Sequence, residues 1–404
     1  MTMNLLKEGI AQHTVEKTTL TRKLTLDGLT KAYPVYRVRL DQLFYNEQND
    51  RIATWISQYK AQHDGHAPDA SNRENYNTII EQFIVDSNPD AIHKTQTNIE
   101  MVDQREPGVV LSDGRIIDGN RRFTCLRRLA SKNDRFGFFE TVILDRNIEN
   151  SAKQIKLLEL SIQHGEESKV GYNPIDRLVG IYNDITATGL LSVEEYARST
   201  SETEGEVRKR IEIANLMVEF LEFINAPKQF YIARDLQLYY PLEELLKLTK
   251  KCSSENEVKN LKSAVFTNIL MQTNGDMTRF VRNIKSIIGT EYQEDFLREQ
   301  QKIAAQIIEK LTLQEKITPE KLKDAVRSNA EAAQALDCSM DKALIKARKA
   351  ETKSRPIMLT EKASTFLENI DINILAKLNG VELKKLGQQL DRLEDTISII
   401  REYL

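Results

Sequence analysis

The stretch from Gln104 to Ala130 constrains the fold most, because it combines two short apolar runs with an amphipathic helix. The runs Val109–Leu111 and Arg115–Ile117 flank a Ser-Asp-Gly turn. Apolar runs around such a turn are typical of a tight β-hairpin, with positive φ angles at Asp113 and Gly114. The segment therefore predicts two paired strands followed directly by a helix.

The residues after this hairpin predict a helix and a mixed fold. Asp118–Asn120 ends the second strand and opens a helix with an apolar face of Phe123, Leu126 and Ala130. Further strands are predicted over Val35–Leu40 and Thr141–Leu144. From about residue 150 glycine and proline become sparse and the pattern turns helical. We expect an α+β N-terminal domain followed by a mainly α-helical region, so that the chain is mostly helical overall.

Composition restricts the classes of protein. A length of 404 residues suits two or three domains, and the net charge of −3 gives no bulk attraction to nucleic acid. Three scattered cysteines favour a reducing compartment over a disulfide framework. The sequence has neither a signal-peptide pattern nor an apolar run of membrane-spanning length. We expect a cytoplasmic protein that does not interact with membranes.

The run Asp118-Gly119-Asn120-Arg121-Arg122 has the chemistry of a phosphate site. A glycine between strand and helix allows close approach of a ligand, and the free N–H groups at a helix start favour an anion. Arg121 and Arg122 add bidentate donors for phosphate. A capping side chain beside surface arginines would give the same five residues without a ligand, so both interpretations stay open.

In its wider context this run resembles the nucleotide-binding domain of the ParB/sulfiredoxin superfamily. The family has a turn in which a glycine is followed, one residue later, by two arginines. This chain has a similar turn in an Asp-Gly-Asn-Arg-Arg variant, within the run Ile116-Ile117-Asp118-Gly119-Asn120-Arg121-Arg122. Val38–Tyr59 resembles the family's strand–loop–helix, with Arg51 at the position of a nucleotide-contacting arginine. Gly171–Arg177 resembles the Asn-Pro helix start, and Leu191–Leu216 resembles a ParB helix-turn-helix.

The resemblance implies a division of the chain and a set of roles. Arg51, Gly119, Asn120, Arg121 and Arg122 would hold the phosphates of a nucleoside triphosphate, CTP or ATP, with Mg²⁺, and Asp118 would cap the loop or reach a metal or ribose. The implied segments are an N-terminal extension (1–33), the nucleotide-binding domain (34–150), a helical domain with the helix-turn-helix (151–225), a helical region (226–355) and a C-terminal helical or coiled-coil segment (356–404).

The sequence departs from the family at three places. Gln163–Lys169 stands where partition proteins carry Glu-Asn-x-x-Arg, and the acidic Ser199–Gly205 precedes the second helix of the helix-turn-helix. Asn120 occupies the position of sulfiredoxin's catalytic cysteine, which excludes that chemistry. Cys125 is predicted to be a packing residue, and the histidines form no metal set. Glu166 and Glu167 are either an acid/base or Mg²⁺-binding pair or, as we favour, a solvated pair.

Two basic stretches are candidates for DNA contact, although each could be a solvated helical face. The candidate residues are Arg208, Lys209 and Arg210, and Lys346, Arg348 and Lys349. At the C-terminus an apolar residue recurs every three or four positions from Leu383 to Leu404. This repeat predicts either a coiled coil that makes a homodimer or a helix packed on its own domain.

Three functional hypotheses follow. The first is a ParB-like, nucleotide-dependent DNA-binding protein of the partition type or associated with mobile elements or defence. The second is an enzyme on the same scaffold, a nuclease, an ATPase or a small-molecule kinase. The third is a helical scaffold that binds no nucleotide. Residues 226–380 carry no interpretable motif.

Overall fold

The fold is described from a computed structural model of the chain. The chain divides into two compact units, residues 1–340 and 341–404. The structure describes residues 4–26, 29–46, 49–145, 152–165, 173–271, 275–312, 329–375 and 377–404.

The first unit is built on a mixed sheet in the strand order β1-β2-β6-β4-β5-β3. Antiparallel pairs join β1 to β2, β2 to β6 and β4 to β5, whereas β4–β6 and β3–β5 are parallel. The strands are β1 (Val15–Leu26), β2 (Leu29–Arg39), β3 (Phe44–Tyr45), β4 (Gly108–Leu111), β5 (Arg115–Asp118) and β6 (Phe138–Leu144).

Helices cover the two faces of this sheet because its strands bury side chains alternately on each side. One core joins Val38, Val110 and Phe139 to the helices of the N-terminal half. The opposite core joins Val109 and Val142 to the helix that follows β6. The N-terminal helices are α1 (Ala53–Gln62), α2 (Arg73–Ser87), α3 (Pro89–Val102) and α4 (Asn120–Ala130).

The expected hairpin is present as β4 and β5, but its turn differs from the prediction. Of Asp113 and Gly114, only Gly114 has a positive φ angle, +92°. A Cβ at Gly114 would lie 2.3 Å from the Gln42 carbonyl oxygen, so glycine is required here for space as well as for conformation. The sheet also extends further towards the N-terminus than expected, because residues 15–26 form β1 and residues 29–33 belong to β2 rather than to an extension.

The rest of the first unit is helical. Several starts have side-chain caps: Asn173 accepts from Ile175 N–H, and Ser192 with Glu195 forms a capping box. The helices are α5 (Ala152–Gly165), α6 (Pro174–Ile181), α7 (Val193–Thr200), α8 (Glu204–Phe223), α9 (Phe230–Asp235), α10 (Tyr239–Thr249), α11 (Glu255–Met271), α12 (Met277–Ile284) and α13 (Gln293–Thr312). The predicted α+β domain followed by a mainly helical region is confirmed.

Helix α14 (Ala330–Glu368) begins in the first unit and continues into the second, which also contains α15 (Ile372–Leu375) and α16 (Gly380–Arg401). Pro356 lies inside α14, although the sequence suggested a boundary at that residue. No residue of α16 is buried. Throughout the described ranges, we find no helix with the length and apolar character that crossing a membrane requires.

Candidate functional site

The candidate site lies at one edge of the sheet. Strands β3 and β5 are parallel neighbours, so the segments that follow them, from Asn46 and from Gly119, leave the sheet at the same edge. Strand β3 is also joined to α4, since the Tyr45 hydroxyl lies 2.7 Å from Thr124 Oγ1. The topology therefore places the turn containing Arg51 and the Asp118–Arg122 turn on the same side of the domain.

Gly119 shapes the start of α4. Its φ angle is +101°, and a Cβ here would lie 2.7 Å from the Phe139 ring, so any other residue would be strained and would also clash. The N-cap residue of α4 is Gly119, which has no side chain to accept from the N–H groups of the first turn. The N–H groups of the first turn thus have no intrahelical acceptor and point away from the helix with the positive end of its dipole behind them.

Asn120 is the first residue of α4, and its Oδ1 atom is buried without a hydrogen-bond partner among the described residues. A buried, unsatisfied amide oxygen is unfavourable by about 1–3 kcal/mol. The two ends of an asparagine amide are assigned from hydrogen bonding, so either a donor or an acceptor can occupy this position. A ligand at the helix start would satisfy it.

Arg122 is bound within the protein. Its Nη2 lies 3.0 Å from Asp118 Oδ2, and its Nη1 donates to the Glu106 carbonyl at 2.7 Å. Arg22 of β1 donates to the same Asp118 oxygen at 3.1 Å and to the Pro107 carbonyl at 2.6 Å. Asp118 thus joins two arginines that fix the segment before β4 to the start of α4. Arg122 and Asp118 hold the turn in shape.

Arg51 and Arg121 are half-buried. Arg51 lies in the short turn Asp50–Ile52, which Asn49 caps by accepting from Arg51 N–H at 3.1 Å. Arg121 follows Asn120 in the first turn of α4. Both therefore belong to segments that leave the sheet at the candidate edge.

A buried ionic cluster adjoins Arg51, and the sequence analysis did not find it. Lys156 of α5 lies 2.7 Å from Asp50 Oδ1, 3.4 Å from Asp184 Oδ2 and 3.8 Å from Glu159 Oε2. Burial alone would lower the pKa of Lys156, but the three carboxylates hold it well above its ordinary value. Burial raises the pKa of Asp184 despite the attraction of Lys156. A lysine within an apolar helical pattern gives no sequence signal for such a cluster.

The same region joins the sheet domain to the helical part. Asp176 of α6 accepts a hydrogen bond from Thr54 N–H at 3.1 Å and so caps the start of α1. Burial raises the pKa of Asp176 from 3.8 to about 7, although the hydrogen bonds from Thr54 lower it. Arg234 of α9 stacks over Trp55 of α1 at 3.9 Å. These contacts pack α1 directly against α6 and α9.

The basic triplet of α8 is paired with acids. Arg208 lies 3.1 Å from Glu204, and Lys209 lies 2.5 Å from Glu243. Arg210 donates to both carboxylate oxygens of Glu202, at 2.5 and 2.9 Å. Each positive charge of the triplet therefore has a carboxylate beside it, which weakens the attraction of this helix for phosphates.

The other basic stretch differs. Lys342, Lys346, Lys349 and Lys353 are exposed and, at spacings of four, three and four residues, share one face of α14. None of the four has an ion-pair partner within the described parts of the chain. We call these four residues the lysine stripe. Arg348 is also exposed but lies beside the stripe.

The remaining chemical candidates give no second site. Cys125 is fully buried, and burial raises the pKa of its thiol to about 12, which makes it unreactive. Within the described ranges no cluster of three His, Cys, Asp or Glu side chains is arranged to hold a metal. His63 stacks on Tyr59 at 3.8 Å. Glu166 and Glu167 lie outside the described residues.

Two surface grooves lie away from the Asp118–Arg122 turn. One, of about 600 Å³, adjoins the C-terminal end of α4 and includes Arg127 and Lys132. The other, of about 780 Å³, lies between α8 and α11 and is floored by Phe223 and Phe266. Both have mixed charge, and neither is lined by a residue that the sequence analysis selected.

Comparisons with known proteins do not assign a family. No family model matches the chain. No curated protein matches it either. Among solved structures, a Pnob8-like ParB-N domain matches with 13% identity and a TM-score of 0.38, over 70% of this chain and 99% of that chain. At this distance the likeness does not assign a function.

Proposed function

We propose that the chain is a ParB-like protein that binds a nucleoside triphosphate through its phosphates at the N-terminus of α4 and binds DNA in response. The first part of the proposal is carried by one observation. The first turn of α4 follows Gly119, which has no side chain to cap its N–H groups, and the buried Oδ1 of Asn120 has no partner in the described structure. A nucleotide can supply both kinds of partner: phosphate oxygens accept from the N–H groups, and a ribose hydroxyl donates to the Asn120 Oδ1, or a phosphate oxygen accepts from the Asn120 NH₂ if that end of the amide faces the ligand.

The side chains around the turn have different roles in this proposal. The N–H groups of Asn120 and Arg121 donate to phosphate oxygens, and the Arg121 guanidinium adds positive charge. Arg51 reaches a second phosphate from the neighbouring turn. Arg122 positions the turn through Asp118 rather than serving as a principal phosphate ligand. The Asn120 amide binds a phosphate or a ribose hydroxyl, depending on which end faces the ligand.

We expect a divalent ion to bind together with the nucleotide. Mg²⁺ usually binds through one or two carboxylates together with substrate phosphates and water. Since the described residues offer no preformed metal cluster, Mg²⁺ would arrive with the triphosphate. The choice between CTP and ATP depends on contacts with the base.

DNA contact is proposed for the lysine stripe of α14. Its four ammonium groups are exposed and unpaired within the described residues, in contrast to Arg208, Lys209 and Arg210, which are neutralised by glutamates. Exposed unpaired lysines on one helical face are suited to a phosphate backbone. The stripe includes Lys346 and Lys349 from the sequence prediction, with Arg348 at its side.

We further propose that α16 mediates a homodimer. Its heptad residues Leu390, Leu393 and Ile397 are 42%, 37% and 46% exposed. A helix with an exposed apolar seam of this length is stabilised by a second helix that buries it. A second copy of α16 is the occupant with the matching repeat.

Calorimetric titration with CTP, ATP, ADP and GTP in the presence of Mg²⁺ tests the proposed function. We expect one triphosphate to bind selectively, and Arg121→Ala to weaken binding at least tenfold because it removes a charge-assisted phosphate contact of about 1.5–3 kcal/mol. Arg128→Ala is the matched control, since Arg128 is exposed near the opposite end of the same helix. An equal loss in both variants, or no binding of any nucleotide, would contradict the proposal. Mg²⁺-dependent consumption of nucleotide or DNA would instead identify an enzyme.

A further inference from the structure

The strands β1 and β2 form a charged two-stranded arm. They contain six basic residues, Lys17, Arg22, Lys23, Lys31, Arg37 and Arg39, and a single acid, Glu16. The chain as a whole has a net charge of −3. Positive charge is thus concentrated in this arm, although the overall composition gives no indication of it.

The arm extends past the rest of the sheet. Strand β2 pairs with β6 only from Val35 to Arg39, whereas its pairing with β1 continues to Leu29. One face of the arm is covered, because Leu24 and Leu26 pack with Ile155 and Leu158 of α5. The opposite face carries Lys17, Thr21, Lys23, Thr25 and Thr30, all exposed. We call these five residues the outer face.

The lysines of the outer face differ from the arginines of the arm. Arg22 is bound to Asp118, and Arg39 lies 2.6 Å from Asp41. Arg37 stacks over the Phe138 ring at 4.6 Å. In contrast, Lys17 and Lys23 have no ion-pair partner in the part of the chain that the structure describes. Their charge is available to an external anion.

The arm is poorly suited to pairing with another strand. Its pairing register shifts between Lys17 and Thr21, and the Thr18 hydroxyl turns back to donate to the Val35 carbonyl. Lysines and irregularities on an edge strand oppose edge-to-edge pairing. Charge and shape therefore favour a polyanion over a peptide strand.

We propose that the outer face of the β1–β2 arm binds duplex DNA by entering its major groove. This inference rests on the proposed DNA binding and adds a second contact to the lysine stripe. A two-stranded ribbon fits the major groove of B-form DNA, which is about 12 Å wide. Lys17 and Lys23 contact backbone phosphates, and the threonine hydroxyls donate to or accept from groups in the groove. The deep, narrow major groove of A-form RNA does not admit such a ribbon.

The test measures the affinity of the full chain for a labelled DNA duplex by fluorescence anisotropy over a series of salt concentrations, with the bound triphosphate present. Lys17→Ala/Lys23→Ala removes the two outer-face charges. Lys60→Ala/Lys94→Ala is the matched control, because Lys60 and Lys94 are exposed on α1 and α3 and the charge change is equal.

We expect the outer-face variant to reduce the slope of log affinity against log salt by about 2, since each phosphate contact contributes about 0.9. Its affinity should fall at least tenfold, and the control should match the wild type. An RNA duplex should bind more weakly than DNA. Equal slopes for wild type and outer-face variant, or equal losses in both variants, would overturn the arm contact while leaving DNA binding by the stripe intact. Absence of any DNA binding by the wild type would contradict the arm and the proposed function together.

Discussion

At the scale of single residues, two groups have unusual surroundings: the Asn120 amide at the start of α4 and the buried carboxyl group of Asp176 in α6. The uncapped start of α4 beside Asn120 favours an anionic ligand, whereas Asp176 shows that a carboxyl can serve as a cap inside the protein. Asp176 accepts from Thr54 N–H across the junction of α6 and α1. Its burial makes the charged form unfavourable, so the stability of this junction depends on pH.

Asp176→Asn should stabilise the protein at high pH. The pKa of Asp176 is raised from 3.8 to about 7 by burial, so the folded chain keeps a proton that the unfolded chain loses above about pH 4. The contribution of Asp176 to the free energy of unfolding therefore decreases as pH rises from 4 to 7 and is constant above 7. Asparagine keeps an acceptor for Thr54 without a charge. At pH 8 the gain should reach at most about 4 kcal/mol, and it should decline towards pH 4.

Thermal unfolding between pH 4 and pH 8 measures this difference. Asp86→Asn is the control, because Asp86 is exposed at the end of α2 and its amide would still accept from Gln82. A constant difference between Asp176→Asn and wild type across this range would show that Asp176 is ionised in the folded protein throughout.

At the scale of secondary-structure elements, strong local patterns were predictable from sequence. The hairpin β4–β5, the start of α4 at Asn120 and the capped start of α6 at Pro174 all follow from glycine, proline and asparagine at turns. Strand β1 was missed because Val15–Leu26 is rich in threonine and lysine and buries few residues. Its stability comes from pairing with β2, which is a tertiary contact rather than a local pattern.

The candidate site was predictable only in part, for a related reason. Gly119 and the arginines after it are visible in the sequence, but their partners are distant along the chain. Arg122 and Arg22 meet at Asp118, and Lys156 meets Asp50, only because the sheet and α5 bring them together. Sequence identifies the residue types at a site, whereas the fold decides which of them are bound internally.

At the scale of the whole molecule, the two units differ in how their apolar side chains are placed. Those of the second unit are largely exposed, whereas the first unit contains the buried cores. An apolar residue recurs in steps of three and four from Leu383 to Leu404, all of these positions except Leu404 lie in α16, and no residue of α16 is buried. Burial of this apolar surface between two copies would stabilise a dimer by about 25 cal/mol for each Å² of apolar surface removed from water. The chain is thus expected to act as a dimer.

Light scattering coupled to size exclusion measures the mass of the assembly. The wild type should have twice the chain mass of 46.4 kDa, and Leu390→Asp should shift it to the single-chain value because a charge in the seam would be desolvated. Gln388→Asp adds the same charge outside the seam and should remain a dimer. A wild-type protein with the mass of a single chain would contradict the proposal that α16 mediates a homodimer.

The central claim is that the N–H groups at the start of α4 bind the phosphates of a nucleotide. Hydrogen–deuterium exchange of the full chain, with and without the triphosphate that binds in calorimetry, tests this directly. We expect exchange to slow in peptides that span Asp118–Arg122, because the N–H groups of Asn120 and Arg121 gain phosphate oxygens as acceptors. Slower exchange elsewhere, with the Asp118–Arg122 peptides unchanged while the nucleotide is bound, would contradict the claim.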